Sequence, residues 1–277
     1  MYHLNCKGTL LCIDTPIIMG IINATPDSFY ATSTATQVAT AVNRAKEMVA
    51  AGAIIIDIGG QSTKPNATPI GENEEMERVL PIVTAIHAAL PETILSIDTY
   101  YASVALEATK LGASIVNDVS AGNIDGAMLS TVAKLQTPYI CMHMQGTPAT
   151  MQSQTAHQDV VNDVLQFFIS KIALCKELGI KDVIVDVGFG FGKTIEQNYT
   201  LLQHLKTFTM LDKPILTGIS RKSMIYKALQ CTPEKALNGT SALHMAALLN
   251  GASILRVHDV KEAAEVVTLY NLLTANK

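Results

Sequence analysis

The stretch AAGAIIIDIGG, residues 50–60, decides the fold class. A helical run ends at Gly52, where the left-handed backbone that stops a helix carries no Cβ penalty. The chain then passes straight into Ala53–Ile58, apolar at every position but Asp57, which reads as a strand covered on both faces. The same grammar recurs in both directions from this point. Strands are predicted at IIMGIIN (to Asn23), AIIIDI (Ala53–Ile58), ILSID (to Asp98), SIVN (to Asn117), YICMH (to His143), DVIVD (to Asp186), PILTG (to Gly218) and SILRV (to Val257), eight in all. Spacing near 3.6 predicts helices over Thr36–Ala51, Glu72–Leu90, Ser103–Leu111, Val160–Leu178, Ala242–Leu249 and Val260–Leu273, with glycine stops at Gly52, Gly112, Gly179 and Gly251. Eight strand-helix units fit an α/β TIM (β/α)8 barrel by count and by size. A doubly wound open sheet is the alternative, since strand number does not prove closure. The segment before Pro16 reads as a short N-terminal β-hairpin with CKGTL at its turn, covering the barrel bottom. No linker or low-complexity tract divides residues 1–277, so a single domain is expected.

Composition narrows the function classes. The chain has 277 residues, with 48% hydrophobic and 16% charged, which excludes a disordered chain. Lys and Arg total 20 against 24 Asp and Glu, a net charge of −4, so no nucleic-acid partner is expected and any anion must be held locally. Five scattered cysteines, Cys6, Cys12, Cys141, Cys175 and Cys231, form no C-x-x-C pair, against both a disulfide framework and a zinc knuckle. With no signal-like start and no apolar run of about 18 residues, the expectation is a soluble cytoplasmic protein with no membrane partner.

Chemistry is concentrated at strand ends. Asn23, Asp57, Asp98, Asn117, His143, Asp186, Arg256 and His258 lie at or just beyond the C-terminal ends of seven of the eight strands, where TIM barrels build their sites. Any one of these is readily explained as a turn former or helix cap. Recurrence at one end of successive strands instead converges polar groups on one mouth. GFGFGKT, residues 188–194, resembles a phosphate-binding loop but places three residues, not four, between its first Gly and the Gly-Lys pair, and it does not match G-x-G-x-x-G. Its glycines suit close approach to a flat ligand, with Phe191 available to pack on it.

MGIINATPDSF (19–29), DIGGQST (57–63), SIDT (96–99), VNDV (116–119), MHMQGTPATMQ (142–152), DVGFGFGK (186–193), GISRKSMI (218–225) and RVHDV (256–260) run in order over nearly the whole chain. Together they resemble the successive signatures of bacterial dihydropteroate synthase. The resemblance implies a TIM-barrel homodimer joining 6-hydroxymethyl-7,8-dihydropterin diphosphate to 4-aminobenzoate, releasing diphosphate and 7,8-dihydropteroate in folate synthesis. It assigns pterin binding to Asp98, Asn117, Asp186, Lys222, Phe191, Gly218 and Met142. A buried carboxylate accepting two N–H bonds from the ring, with an amide completing the edge, makes chemical sense of that set.

Diphosphate falls to Asn23, Arg256 and His258, with Asn23 also ligating Mg²⁺, and Thr63, Pro65, Phe29, Ser223 and Phe191 line the aminobenzoate pocket. Arg256, His258 and Lys222 are the implied catalytic residues, Arg256 serving the phosphates rather than the ring, while Arg221 is structural and Asp57 either supports the site or touches substrate. Catalysis is expected to be electrostatic stabilisation of departing diphosphate, without a nucleophilic side chain.

The chain departs from the family pattern in two loops. D-S-F-S-D-G-G is replaced by Asp27, Ser28, Phe29, Tyr30, Ala31, Thr32 and Ser33, and G-E-S-T-R-P by Gly60, Gln61, Ser62, Thr63, Lys64 and Pro65. The first change, which puts Ala31, Thr32 and Ser33 where Asp-Gly-Gly is usual, predicts a stiffer loop and so ordinary pterin diphosphate binding with weakened affinity for 4-aminobenzoate. The altered loops also motivate a second reading, a non-catalytic pterin-binding paralogue. A pterin-dependent methyltransferase domain is a third.

Overall fold

The computed structural model describes residues 1–24, 34–61, 69–147, 150–151 and 155–275. Strands β1 (Tyr2–Cys6) and β2 (Thr9–Ile13) pair antiparallel across a two-residue turn in which Lys7 and Gly8 both have positive φ, 53° and 93°. That backbone twist matches a tight hairpin.

The repeating units follow as β3 (Ile17–Asn23), α1 (Thr34–Ala50), β4 (Ile55–Gly59), α2 (Glu72–Ala89), β5 (Ile94–Asp98), α3 (Ala102–Lys110), β6 (Ala113–Asp118) and α4 (Met128–Leu135). The second half runs β7 (Tyr139–Met142), α5 (Val160–Glu177), β8 (Val183–Asp186), α6 (Ile195–Gln203), β9 (Ile215–Thr217), α7 (Ser223–Tyr226), α8 (Leu237–Leu249), β10 (Ile254–Val257) and α9 (Val260–Thr274). Strand β10 pairs in parallel with β9, Ile254 opposite Leu216, and also with β3, Ile254 opposite Ile17. The sheet is therefore a closed eight-stranded parallel barrel, and the open-sheet alternative is excluded.

Side-chain parity organises the interior. Strand residues alternate between the barrel lumen and the helix layer. At the bottom of the lumen every strand contributes an apolar residue, among them Ile55, Ile94, Ile115, Ile184 and Ile254, and the hairpin seals this layer with Leu4, Cys6, Leu11 and Ile13. Ile56, Ile58, Val116 and Val185 face the helices instead. Counting up by twos from the bottom layer therefore leads to Asp57, Ser96 and Asp98, Asn117, Asp186 and Arg256. The polar strand ends are the upper layers of stripes whose lower layers are core.

The four predicted glycine stops all have positive φ. Gly112 is the tightest, since a Cβ there would lie 2.4 Å from His87 Cγ. Periodicity left α4, α6, the 3-10 turn Leu205–Leu211 and α7 unnamed, and α8 begins at Leu237, five residues earlier than the spacing predicts. Leu237–Ala242 carries Asn238, Gly239 and Thr240, poor helix formers held by packing, for a Cβ on Gly239 would strike Ile225 and Leu229. All five cysteines are free, and no helix among the described residues is long and apolar enough to cross a membrane.

Candidate active site

The centre of the mouth is a guanidinium shared by two carboxylates. Arg256 Nε donates to Asp57 Oδ2 at 2.6 Å and its Nη2 to Asp98 Oδ2 at 2.5 Å, joining the last strand to β4 and β5. Asn117 Nδ2 donates to the same Asp57 oxygen at 3.1 Å. Asp57 is fully buried beneath these partners. Burial, followed by the neighbouring Asp57 and Asp118 carboxylates, pushes Asp98 upward in pKa while Arg256 draws it back. Burial opposes the charge on Arg256, but Asp57 and Asp98 overcome it and hold the guanidinium firmly protonated. The sequence reading kept Arg256 with the phosphates and Asp98 with the ring; the ion pairs join the two groups.

A second cluster forms over β8 and β9. Asp186 Oδ1 accepts from Gly188 N at 2.8 Å. Beside it the Gly218 backbone comes close to both groups, for a Cβ there would touch Lys222 Nζ at 3.7 Å and Asp186 Oδ2 at 3.9 Å. Lys222 Nζ donates to Phe189 O at 2.6 Å and lies 4.6 Å from the centre of the Phe191 ring. Burial pulls the Lys222 ammonium down to about 8 against the pull of Asp186, and burial pushes Asp186 up. Phe191 and Met142 share an apolar cluster with Tyr100, Val119, Met144 and Met151. An acid, an ammonium, an aromatic face and a cluster of apolar side chains are thus gathered on this side of the mouth.

The glycine-rich loop is shaped by a lysine to which sequence reasoning gave no role. Lys193 Nζ is buried and donates to the carbonyl oxygens of Gly188 at 2.9 Å, Phe191 at 2.9 Å and His143 at 3.2 Å. Burial draws this ammonium down to about 7, with Asp186 holding it up. At Gly188, φ +70°, a Cβ would fall 1.9 Å from His143 O, so only glycine permits the contact between the two loops. A signal for Lys193 was present in the sequence, a lone lysine directly after three alternating glycines.

His258 sits at the β10 end of the mouth. Its backbone N–H donates to Ser220 Oγ at 3.3 Å, and its ring Nδ1 lies 3.0 Å from the same oxygen. Ser220 can spend its own proton on Nδ1, which leaves Nε2 to carry the imidazole proton as a donor. Burial, then Arg256, lowers its pKa to about 4, so the ring is neutral before an anion arrives. Arg221 turns away, forked onto Asp259 at 2.7 and 2.8 Å and onto the carbonyls of Pro233 and Glu234, a structural role as expected.

Asn23 ends β3 in register with Gly59, and Ser223 opens α7 directly after Lys222. Phe29, Thr63 and Pro65, with the altered residues 27–33 and 62–65, lie outside the described residues. His143 departs from the strand-end set. It has the parity of Cys141, which faces the helix layer, and packs edge-on against Phe167 of α5 with ring centres 4.9 Å apart. Burial, then the Lys193 charge, holds it far below the usual imidazole range at about 2.

Residues 19–258 match the family described as pterin binding enzyme. The chain is 43% identical over 263 residues to dihydropteroate synthase of Escherichia coli strain K12, covering 94% of this chain and 93% of that one. The chain belongs to the dihydropteroate synthase family. Within it, the solved structure from Yersinia pestis, a complex with a sulfonamide drug, superposes with a TM-score of 0.93 at 39% identity, covering 99% of this chain and 100% of that chain. Another family member, the Xanthomonas albilineans enzyme with 4-aminobenzoic acid, gives a TM-score of 0.92 at 37% identity, covering 99% and 98%.

Because Asp57 is fully buried against Arg256, Asp57→Ala strands the Arg256 charge beside a single carboxylate. Urea unfolding at neutral pH is expected to show a loss of about 3 kcal/mol, and a loss below about 1 kcal/mol would show that solvent screens the pair.

Proposed function

We propose that this mouth joins 6-hydroxymethyl-7,8-dihydropterin diphosphate to 4-aminobenzoate, releasing diphosphate and 7,8-dihydropteroate, and that the chain is a transferase of folate synthesis. The observation that carries the reading is the buried Asp186 carboxylate and the Lys222 ammonium meeting beside Gly218, with Phe191 against the ammonium. A reduced pterin presents adjacent N–H donors and a ring carbonyl in one plane, which suits a carboxylate beside an ammonium. Phe191 and Met142 supply an apolar wall. The Xanthomonas albilineans enzyme has been solved with 7,8-dihydropteroate, at 35% identity and a TM-score of 0.89, which supports the same product class here.

Arg256 and the Nε2–H of His258 are the donors for the departing diphosphate. The reduced ring is electron-rich and can delocalise the positive charge that develops on its methylene as the C–O bond breaks. The aromatic amine then forms the C–N bond and gives up a proton. The protein's part is to hold the leaving group, orient the ring and exclude water. No side chain need form a covalent intermediate.

A hard cation fits this arrangement only as a companion of the substrate. Among the described residues no group of three His, Cys, Asp or Glu side chains could hold a metal by itself. Asn23, at the end of β3, would hold Mg²⁺ through its amide oxygen as the ion arrives with the substrate's phosphates. When bound, it neutralises charge on the leaving diphosphate.

A homodimer is part of the same reading. Leu269, Leu272 and Leu273 on α9 are 59%, 70% and 59% exposed, an apolar strip on the outer face of the last helix. Light scattering at micromolar concentration is expected to give twice the chain mass, and Leu269→Lys/Leu272→Lys to give the single-chain mass with the barrel intact. A wild-type monomer would remove the dimer.

The function is tested by measuring diphosphate release from the pterin diphosphate in Mg²⁺. Release is expected to require 4-aminobenzoate. Asp186→Asn should weaken pterin binding by calorimetry by about tenfold or more, since each lost charge-assisted bond is worth about 1.5–3 kcal/mol. Tight pterin binding without any turnover would instead favour the non-catalytic paralogue.

A further inference from the structure

Helix α2 carries a carboxylate that the chemistry above leaves unused. Glu75 is fully buried, and its Oε2 accepts from Gln61 Nε2 at 3.2 Å. The approach depends on Gly60, where a Cβ would lie 2.9 Å from Glu75 Cγ. Gln61 also bridges the chain. Its Nε2 donates to Ile70 O at 2.9 Å and its Oε1 accepts from Ile70 N at 3.3 Å, so one side-chain amide engages both backbone groups of a residue nine positions on. Tyr101 Oη, beyond β5, donates to the same carbonyl at 2.9 Å, and Arg78 Nη1 donates to Gly60 O at 3.2 Å. Gln61 is where the chain leaves the barrel after β4, and Ile70 is where it returns to α2.

We propose that Gln61, seated on Glu75, is a positioning residue that clamps the two ends of the β4–α2 connection and thereby governs binding of 4-aminobenzoate. The second half of the statement rests on the proposed function, in which that connection serves the second substrate. The clamp itself rests on the bonds to Ile70 and Glu75 alone.

Its chemistry gives meaning to one departure from the family pattern. The groups facing Glu75 are Asp98 from β5, Arg78 from its own helix, and Tyr100, with Gln61 and the Thr99 hydroxyl as hydrogen-bonding neighbours. Burial pushes the Glu75 carboxyl up to about 7 and Asp98 adds to this, while Gln61, Thr99 and Arg78 pull it back. Near neutrality Glu75 therefore passes between acid and carboxylate. A primary amide at 61 tolerates both forms, because it brings a donor and no charge. A glutamate there, as in the G-E-S-T-R-P pattern, would face Glu75 as a second carboxyl, and the two would share one proton. Losing that proton as pH rises would drive them apart and open the clamp.

The test combines hydrogen exchange with steady-state kinetics on the full chain. In Gln61→Leu, exchange in peptides covering residues 60–72 is expected to quicken by about tenfold or more, with the barrel strands unchanged. The KM for 4-aminobenzoate should rise by about fivefold or more while that for pterin diphosphate stays within about twofold. Gln61→Glu keeps the side chain's size and should show an aminobenzoate KM that climbs between about pH 6 and pH 8.5 more steeply than in wild type, a climb that Gln61→Glu/Glu75→Gln abolishes. Unchanged exchange at 60–72 in Gln61→Leu, equal losses for both substrates, or a Gln61→Glu profile parallel to wild type each overturns the proposal. If the wild type turns nothing over, the functional reading fails, and exchange still decides whether the clamp exists.

Discussion

The guanidinium of Arg256 between Asp57 and Asp98 is the constraint on which the mouth depends. Two carboxylates with little exposure that repel each other across adjacent strands cannot be left uncompensated without a large cost. Arg256 resolves this from the far end of the chain, and it can do so only because β10 closes against β3, next to β4. Barrel closure is thus a precondition of the site's electrostatics. The same cation is the natural donor to a diphosphate, so substrate arrival competes with Asp57 and Asp98 for one fork of N–H groups. The ring and phosphate halves of the site are coupled through it.

A second lysine-centred constraint shapes the other wall. Lys193 gathers three carbonyls and Lys222 takes a fourth, so the glycine-rich loop is drawn over β8 with Phe191 turned into the mouth. Neither lysine is free to serve as a surface charge. The loop's glycines belong to this folding pattern: Gly188 passes against the His143 carbonyl.

Much of this was legible in the sequence, for a physical reason. Strands covered on both faces stand out as apolar runs, and a polar residue at the end of such a run has few places to go but the mouth. Asp57, Asp98, Asn117, Asp186 and Arg256 are of this kind, all on lumen parity. His143 looked the same in the sequence but is one residue out of phase, and that single step sends it to Phe167 in the helix layer. Pairings across the barrel were not legible, because Arg256 and Asp57 are separated by 199 positions and no local pattern links them. The role of Gln61 was also hidden, since no local pattern links it to Ile70 and Glu75. Helix α7, at four residues, is too short for a periodicity to stand out.

The coupling through Arg256 is most directly tested by calorimetry on Arg256→Ala with two ligands titrated separately, a free reduced pterin and inorganic diphosphate. The account predicts that diphosphate loses most of its affinity and that the pterin also weakens, because Asp98 and Asp57 lose the cation that holds them in place. Pterin affinity equal to that of wild type, beside a lost diphosphate site, would contradict it.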